Sequence, residues 1–198
     1  MQRVVFHFDV ISPYAFMAFE RLPEALAGIS HHVEYRPVLF AGLLKAWGHK
    51  GPVEIPAKRE WTWRQVAWLS RQLDLPLQAP ANHPFNPLAL LRLALACGPA
   101  GRMPNRRVVE ALMHHVWRAE GADPNEPARL AQLRAQLAPE RDPDSEALKA
   151  ELRALTDAAI ARGLFGVPSF EAAGQLFWGL DALPMLREAL LAAEAGAA

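Results

Sequence analysis

The segments that predict β-strands lie only at the two ends of the chain, and this distribution constrains the fold most. Residues 3–9 and 32–38 carry bulky and β-branched residues in the pattern of short buried strands. Residues 168–171 and 175–178 flank a short Ala-Ala-Gly turn, which predicts a β-hairpin. Between the two pairs, residues 39–163 show helical periodicity broken by proline and glycine. We therefore expect an α/β core that is interrupted by a large, all-helical insertion.

A helix is predicted between the first two strands, and it determines their relative direction. Pro13 suits its first turn, where the missing N–H costs nothing, and Phe16, Phe19 and Leu26 give it an apolar face. Two strands joined by a crossover helix form a right-handed βαβ unit, so we expect them to be parallel. A last helix is predicted from about Asp181, after the hairpin. The predicted order is thus βαβ, helical block, ββα.

Charge balance and cysteine content exclude several classes of function. The 198 residues hold 21 Lys+Arg against 21 Asp+Glu, without the basic excess that nucleic acids or anionic membranes attract, so we expect neither partner. The single cysteine, Cys97, cannot form an intramolecular disulfide, a CxxC pair or a zinc–thiolate cluster. The histidines lack a metal-ligand spacing, so we expect no metal. The chain also lacks the pattern of a secretory signal or a membrane helix, and we expect a soluble, cytoplasmic protein.

Ser12 lies where the first predicted strand ends and the first helix begins. At that position, free backbone N–H groups and the positive end of the helix dipole stabilise an anion, including a thiolate. The alternative is that Ser12 only caps the helix, because serine is among the best N-cap residues. The two roles are compatible.

Two motifs in this order and spacing carry a family resemblance: Ser-Pro-Tyr at residues 12–14 and Gly-Val-Pro at residues 166–168. Further matching stretches are FDVISPYAF (8–16), GHKGP (48–52) with the following PAK (56–58), PANHPFNPLALLRLALA (80–96), FGVPSF (165–170) and FWGLDALPML (177–186). With them, essentially the whole sequence resembles the thioredoxin-like superfamily, in the branch of the kappa-class glutathione transferases and 2-hydroxychromene-2-carboxylate isomerases. The resemblance implies a thioredoxin-like domain formed by residues 1–38 and 164–198, with residues 39–163 as a helical insertion domain.

The resemblance also implies glutathione as cofactor and assigns its site. Ser12 takes the place of the first cysteine of the superfamily's CxxC motif, and its hydroxyl donates a hydrogen bond to the glutathione sulfur. The proline at Pro168 is cis in the family, and the backbone of Val167 pairs with the cysteinyl part of glutathione. The remaining implied contacts are His49 and Lys58 for the glycine carboxylate and Trp178, Gly179, Leu180 and Asp181 for the γ-glutamyl end.

The implied activity is a glutathione-dependent isomerisation of an aromatic hydroxy acid or enone such as 2-hydroxychromene-2-carboxylate. Two alternatives remain open: a kappa-class-like transferase that conjugates electrophiles, and a non-catalytic glutathione-binding protein. Tyr14 and Asn82 are candidate contacts for a small aromatic substrate. Leu180 and Ala182 depart from the family, which often has Ser or Asn and Arg at these positions. Members of the family commonly form homodimers, so the resemblance also implies a homodimer.

Overall fold

A four-stranded mixed sheet joins the two ends of the chain. The computed structural model describes residues 1–196. Strand β1 (Gln2–Phe8) pairs in parallel with β2 (His31–Pro37) and antiparallel with β3 (Ser169–Ala172). Strand β3 in turn pairs antiparallel with β4 (Gln175–Trp178), which gives the order β2-β1-β3-β4. The predicted thioredoxin-like arrangement of strands is confirmed.

Eight α-helices accompany the sheet within these residues. Helix α1 (Pro13–Ala25) connects β1 to β2, and α8 (Leu183–Gly196) follows β4. The helical insertion, residues 39–163, lies between β2 and β3 and holds the other six: α2 (Phe40–Ala46), α3 (Pro56–Gln72), α4 (Leu88–Ala96), α5 (Arg106–Trp117), α6 (Pro127–Leu137) and α7 (Glu146–Ala161). In the described part of the chain, no helix combines the length and apolar character needed to cross a membrane.

The last helix begins later than predicted. Helix α8 starts at Leu183, whereas the prediction began it at about Asp181. Leu180, Asp181 and Ala182 instead form a single 3-10 turn, in which the Ala182 N–H donates to the Gly179 carbonyl. An α-helix through these residues would need an N–H at position 184 to bond the Leu180 carbonyl, and Pro184 has none.

The hydrophobic core runs from the sheet into the helical insertion. Phe6, at the centre of β1, stacks on Phe170 of β3 with ring centroids 5.1 Å apart. Phe16 of α1 stacks on the fully buried Trp117 of α5, with centroids 6.4 Å apart. These rings belong to one continuous cluster of buried residues. The division into two domains at residues 39 and 163 stays a prediction.

Candidate functional site

Ser12 is both a helix cap and part of a cavity wall. Its Oγ accepts a hydrogen bond from the Ala15 N–H at 3.2 Å, which caps α1, and Pro13 occupies the first helical position. The same hydroxyl donates to the Val167 carbonyl at 3.4 Å. Ser12 is only 5% exposed. The capping role and the location at a candidate anion site therefore coexist.

The Val167 loop lies directly opposite Ser12. The Val167–Pro168 peptide bond is cis, as the resemblance implies. The Ser169 hydroxyl donates to the Gly166 carbonyl at 2.7 Å, and the Gly179 N–H donates to the Pro168 carbonyl at 2.9 Å. These bonds hold the loop against the start of β3 and the segment after β4.

The Trp178 indole packs closely against this loop, and Gly166 makes the close approach possible. A Cβ added at Gly166 would lie 2.5 Å from the Trp178 Nε1, so only glycine fits there. The Trp178 ring also contacts Phe165, with centroids 4.9 Å apart. Trp178 remains 55% exposed, and such an exposed indole beside a polar loop can cover a bound ligand.

A single large cavity of about 2040 Å³ connects Ser12 to the helical insertion. This volume exceeds the 300–1,000 Å³ typical of one small-molecule pocket, so the cavity has room for more than one small molecule. Of the predicted site residues, the structure brings these to its lining: Ser12, Tyr14, His49, Lys58, Val167, Pro168, Trp178, Gly179, Leu180 and Asp181.

Asn82 is not among the lining residues. Its side chain is exposed, and its Nδ2 donates to Asp123 Oδ2 at 3.2 Å. The same loop instead brings His83 and Asn86 to the cavity. The sequence alone gives no signal for this choice, because neighbouring loop residues point in different directions.

The lining combines charged groups of both signs with apolar surface. Basic side chains enter from the helical insertion, at His49, Lys50 and Lys58, and Asp181 enters from the segment after β4. Glu54 of the helical insertion, Arg21 and Glu24 of α1 and Arg187 of α8 also line the cavity, so groups of both signs are available to a charged ligand.

Tyr14 connects the two parts of the chain across the cavity. Its hydroxyl, on α1, donates to Gln65 Oε1 of α3 at 2.7 Å. Burial raises the pKa of Tyr14, and the Thr62 hydroxyl beside it acts in the opposite direction. Tyr14 thus remains a protonated, hydrogen-bonding group on a largely apolar wall.

Asp9 lines the cavity and is absent from the predicted site. It follows β1 and is fully buried, with Oδ1 accepting from the Ile11 N–H at 3.1 Å and Oδ2 from the Phe40 N–H at 2.9 Å. Burial raises the pKa of Asp9 to about 7, although both backbone bonds favour the charged form. An acid that directly follows a buried strand and precedes a helix is a sequence signal that could have identified it.

Cys97 lies away from the cavity lining, at the end of α4. Its thiol donates to the Leu93 carbonyl at 3.1 Å, and burial, with a smaller effect of Glu140, raises its pKa to about 11. Such a thiol is protonated at neutral pH and is a poor nucleophile.

Known proteins resemble this chain over nearly its full length. The family model described as "DSBA-like thioredoxin domain" matches residues 3–191. A 2-hydroxychromene-2-carboxylate isomerase of Sphingobium xenophagum is 27% identical over 193 residues, which cover 94% of this chain and 96% of the relative. Glutathione S-transferase kappa 2 of Caenorhabditis elegans is 26% identical over 205 residues, which cover 94% and 91%. A solved structure of a 2-hydroxychromene-2-carboxylate isomerase superposes with a TM-score of 0.83 at 24% identity, covering 99% of both chains.

Proposed function

The chain belongs to the family of DSBA-like thioredoxin domains, and from this premise we propose that it is a glutathione-dependent isomerase of an aromatic hydroxy acid or enone. A substrate such as 2-hydroxychromene-2-carboxylate fits the proposal. The sequence relatives of this chain include proteins named 2-hydroxychromene-2-carboxylate isomerase. The position of the superfamily's first cysteine holds Ser12 here, so a thiol at this site must come from a bound molecule.

One observation carries the proposal: the Ser12 hydroxyl lies at the N-terminus of α1, 3.4 Å from the Val167 carbonyl, on the wall of the cavity. A sulfur beside Ser12 would meet a hydroxyl donor and the positive end of a helix dipole. A free thiol has a pKa of about 8.5, and lowering it by about two units corresponds to about 2.7 kcal/mol in favour of the thiolate.

The surrounding residues suit the rest of the tripeptide. The Val167 backbone would pair with the cysteinyl part, and Asp181 would bind the γ-glutamyl ammonium group. Lys58 and His49 would bind the glycine carboxylate. Leu180 contributes no polar side chain, so only its backbone N–H is available to the glutamyl end. All five residues line the cavity.

Glutathione, when bound, would supply a thiolate nucleophile for a conjugated carbon of the substrate, the chemistry that cis–trans isomerisation of an enone requires. The residues of this chain hold the sulfur, exclude water and orient the substrate. Apolar side chains such as Leu69, Leu73 and Phe85 line the remaining cavity and suit an aromatic ring. The Tyr14 hydroxyl on the same wall is placed to bind a substrate oxygen.

Calorimetry with glutathione tests the proposal. We expect wild type to bind glutathione, and we expect Ser12→Ala to lower the ionisation constant of the bound thiol, read by ultraviolet titration, roughly 10- to 100-fold, the loss of one hydrogen bond to a charged group. Ser145→Ala is the matched control, because Ser145 caps α7 in the same way, accepting from the Leu148 N–H, and lies outside the cavity lining. Absence of binding to wild type at millimolar glutathione would contradict the proposal.

A transferase that conjugates electrophiles is the second candidate, supported by the 26% identity to a kappa-class transferase. Turnover stoichiometry separates the two activities. An isomerase converts many substrate molecules per glutathione, whereas a transferase consumes one glutathione for each. Binding without either activity would identify a non-catalytic glutathione-binding protein.

A homodimer and a cytoplasmic location complete the proposal. Trp61 and Trp68 lie one heptad apart on α3 and are 57% and 49% exposed, which is unusual for isolated indoles. A partner copy could cover this surface. Sedimentation velocity tests the dimer, and a monomer at micromolar concentration would contradict it.

A further inference from the structure

The peptide group that joins Ile11 to Ser12 is held at both of its ends. Its carbonyl, on Ile11, accepts a hydrogen bond from His83 Nε2 at 2.9 Å. Its N–H, on Ser12, donates to the Asp9 carbonyl at 3.2 Å. Of these two contacts, the one from His83 comes from the helical insertion, 72 residues away along the chain.

The preceding peptide group, between Val10 and Ile11, is held in the same manner. Trp117 Nε1 of α5 donates to the Val10 carbonyl at 2.9 Å, and the Ile11 N–H donates to Asp9 Oδ1 at 3.1 Å. The loop that presents Ser12 therefore has no free polar group in its two central peptides. Two of the four bonds come from side chains of the helical insertion.

The surroundings of His83 determine which of its ring nitrogens carries the proton. Because Nε2 faces a carbonyl, it must donate, and the neutral ring then leaves Nδ1 as an acceptor. Nδ1 is buried without a hydrogen-bond partner among the described residues. The rings of Trp63, Phe85 and Trp117 surround the imidazole of His83, with centroids 5.0, 6.1 and 5.9 Å from its own. Burial lowers the pKa of His83, which agrees with a neutral donor.

We propose that His83 is a positioning residue that aims the Ser12 hydroxyl at the bound sulfur by fixing the Ile11–Ser12 peptide plane. The orientation of this plane sets ψ of Ile11 and φ of Ser12, and hence the direction of the Ser12 Cα–Cβ bond. The helical insertion thereby controls the reactivity of a thiol that the thioredoxin-like part holds. This role depends on the proposed glutathione function, because the sulfur is the target of the hydroxyl.

Two substitutions at His83 separate positioning from packing. His83→Phe keeps a ring among the three aromatic neighbours and removes the donor. His83→Gln places an N–H near the position of Nε2 and removes the ring. Positioning predicts that His83→Phe is the defective variant and that His83→Gln restores function. A packing role predicts the reverse order.

The first measurement is hydrogen exchange of the Ser12 amide in the ligand-free protein. Loss of the His83 bond should accelerate this exchange about tenfold in His83→Phe, in line with the loss of one net hydrogen bond, and leave it within about threefold of wild type in His83→Gln. Equal exchange in wild type and His83→Phe would overturn the proposal.

The second measurement is the ultraviolet titration of the bound glutathione thiol. We expect the bound thiol in His83→Phe to titrate about one pH unit higher than in wild type, a tenfold lower ionisation constant, and His83→Gln to match wild type. If wild type binds glutathione and both variants share its titration curve, His83 positioning is wrong while the proposed function stands. If wild type binds no glutathione, both are wrong.

Discussion

Gly179 allows the Asp181 side chain to fold back against the Gly179 backbone. Its φ of +101° belongs to a region that L residues rarely occupy, and an added Cβ would collide with Asp181 Oδ1. Substitution therefore combines backbone strain with displacement of the carboxylate.

We expect Gly179→Ala to lower the free energy of unfolding by about 1 to 3 kcal/mol through strain and to weaken glutathione binding roughly tenfold through loss of one charged contact. Gly28→Ala is the matched control, because Gly28 has a φ of +82° and an added Cβ there would have no atom within 4 Å. The control should lose stability and retain binding. Equal glutathione affinity in both variants, measured by calorimetry, would contradict the proposed contact between Asp181 and glutathione.

Individual site residues differ in how far the sequence predicts them. Ser12 and Pro168 belong to motifs whose chemistry is local, a helix start and a loop before a strand, and the structure places both at the cavity. His83 could not be predicted, because its partner, the Ile11 carbonyl, lies 72 residues away and meets it only in the folded chain. The sequence instead suggests Asn82, one residue earlier, as a substrate contact, but the Asn82 side chain donates to Asp123 and is not among the cavity-lining residues.

Helix α1 contains a proline, and a neighbouring helix compensates for it. Pro23 has no N–H for the Phe19 carbonyl, one turn earlier in α1. Arg106 of α5 donates to that carbonyl at 3.3 Å, and its guanidinium lies 4.1 Å from the centroid of the Phe19 ring. The two helices are therefore coupled at this point.

A double-mutant cycle measures this coupling. Arg106→Leu should lower the free energy of unfolding by about 1 to 3 kcal/mol, because a buried carbonyl loses its donor. In a Pro23→Ala background the same change should cost at least about 0.5 kcal/mol less, because the Ala N–H can replace the guanidinium. Additive effects in urea denaturation would contradict a compensating role of Arg106 at the Phe19 carbonyl.

At the level of elements, strands and long helices are predictable and their starting points are less so. The hydrophobic periodicity of residues 105–120 and 144–162 predicts two helices, and α5 and α7 lie within these ranges. The sequence does not predict the bounds of the short helix α2 within the helical block, because seven residues with one buried side chain show little hydrophobic periodicity. The start of α8 depends on the missing N–H of Pro184. An acid such as Asp181 is also typical of a helix start, so the sequence predicts a start that is two residues too early.

Two buried titratable groups make opposite contributions to the stability of the whole molecule. His7 donates from Nε2 to Glu171 Oε1 at 2.6 Å, and burial lowers its pKa from 6.5 to about 4. Its stabilising contribution is therefore complete above pH 6.5 and is lost as the pH falls through about 4. Burial raises the pKa of Asp9 from 3.8 to about 7, so its contribution is complete below pH 3.8 and is lost as the pH rises through about 7.

Single variants should reveal these opposing slopes. Between pH 4 and 6.5, Asp9→Asn should gain about 1.4 kcal/mol per pH unit in free energy of unfolding relative to wild type, and His7→Gln should lose about the same. Bonds broken by either substitution add an offset that does not change with pH. Urea denaturation across this range provides the slopes, and differences that stay flat would contradict the assigned protonation states.

The cavity is a property of the whole molecule. Its lining draws residues from α1, the helical insertion and the segment around β3 and β4, and no single stretch of sequence encodes its volume. The family resemblance predicts part of the polar lining, at positions that lie in motifs, but it assigns no role to Asp9, His83 and Asn86, which also line the cavity. The core contact between Phe16 and Trp117, which packs the two parts together, pairs the last residue of the FDVISPYAF stretch with a residue that lies outside every matching stretch.

Ser12 has a single hydroxyl hydrogen, and the Val167 carbonyl accepts it at 3.4 Å, a long distance for a bond of this type. Any sulfur that enters the site must compete with that carbonyl for the same hydrogen. A thiolate competes successfully, because charge-assisted hydrogen bonds are about twice as strong as neutral ones. A protonated thiol is a weak acceptor and does not displace the Val167 carbonyl. The contact between Ser12 and Val167 therefore selects an incoming sulfur by its protonation state rather than by its shape.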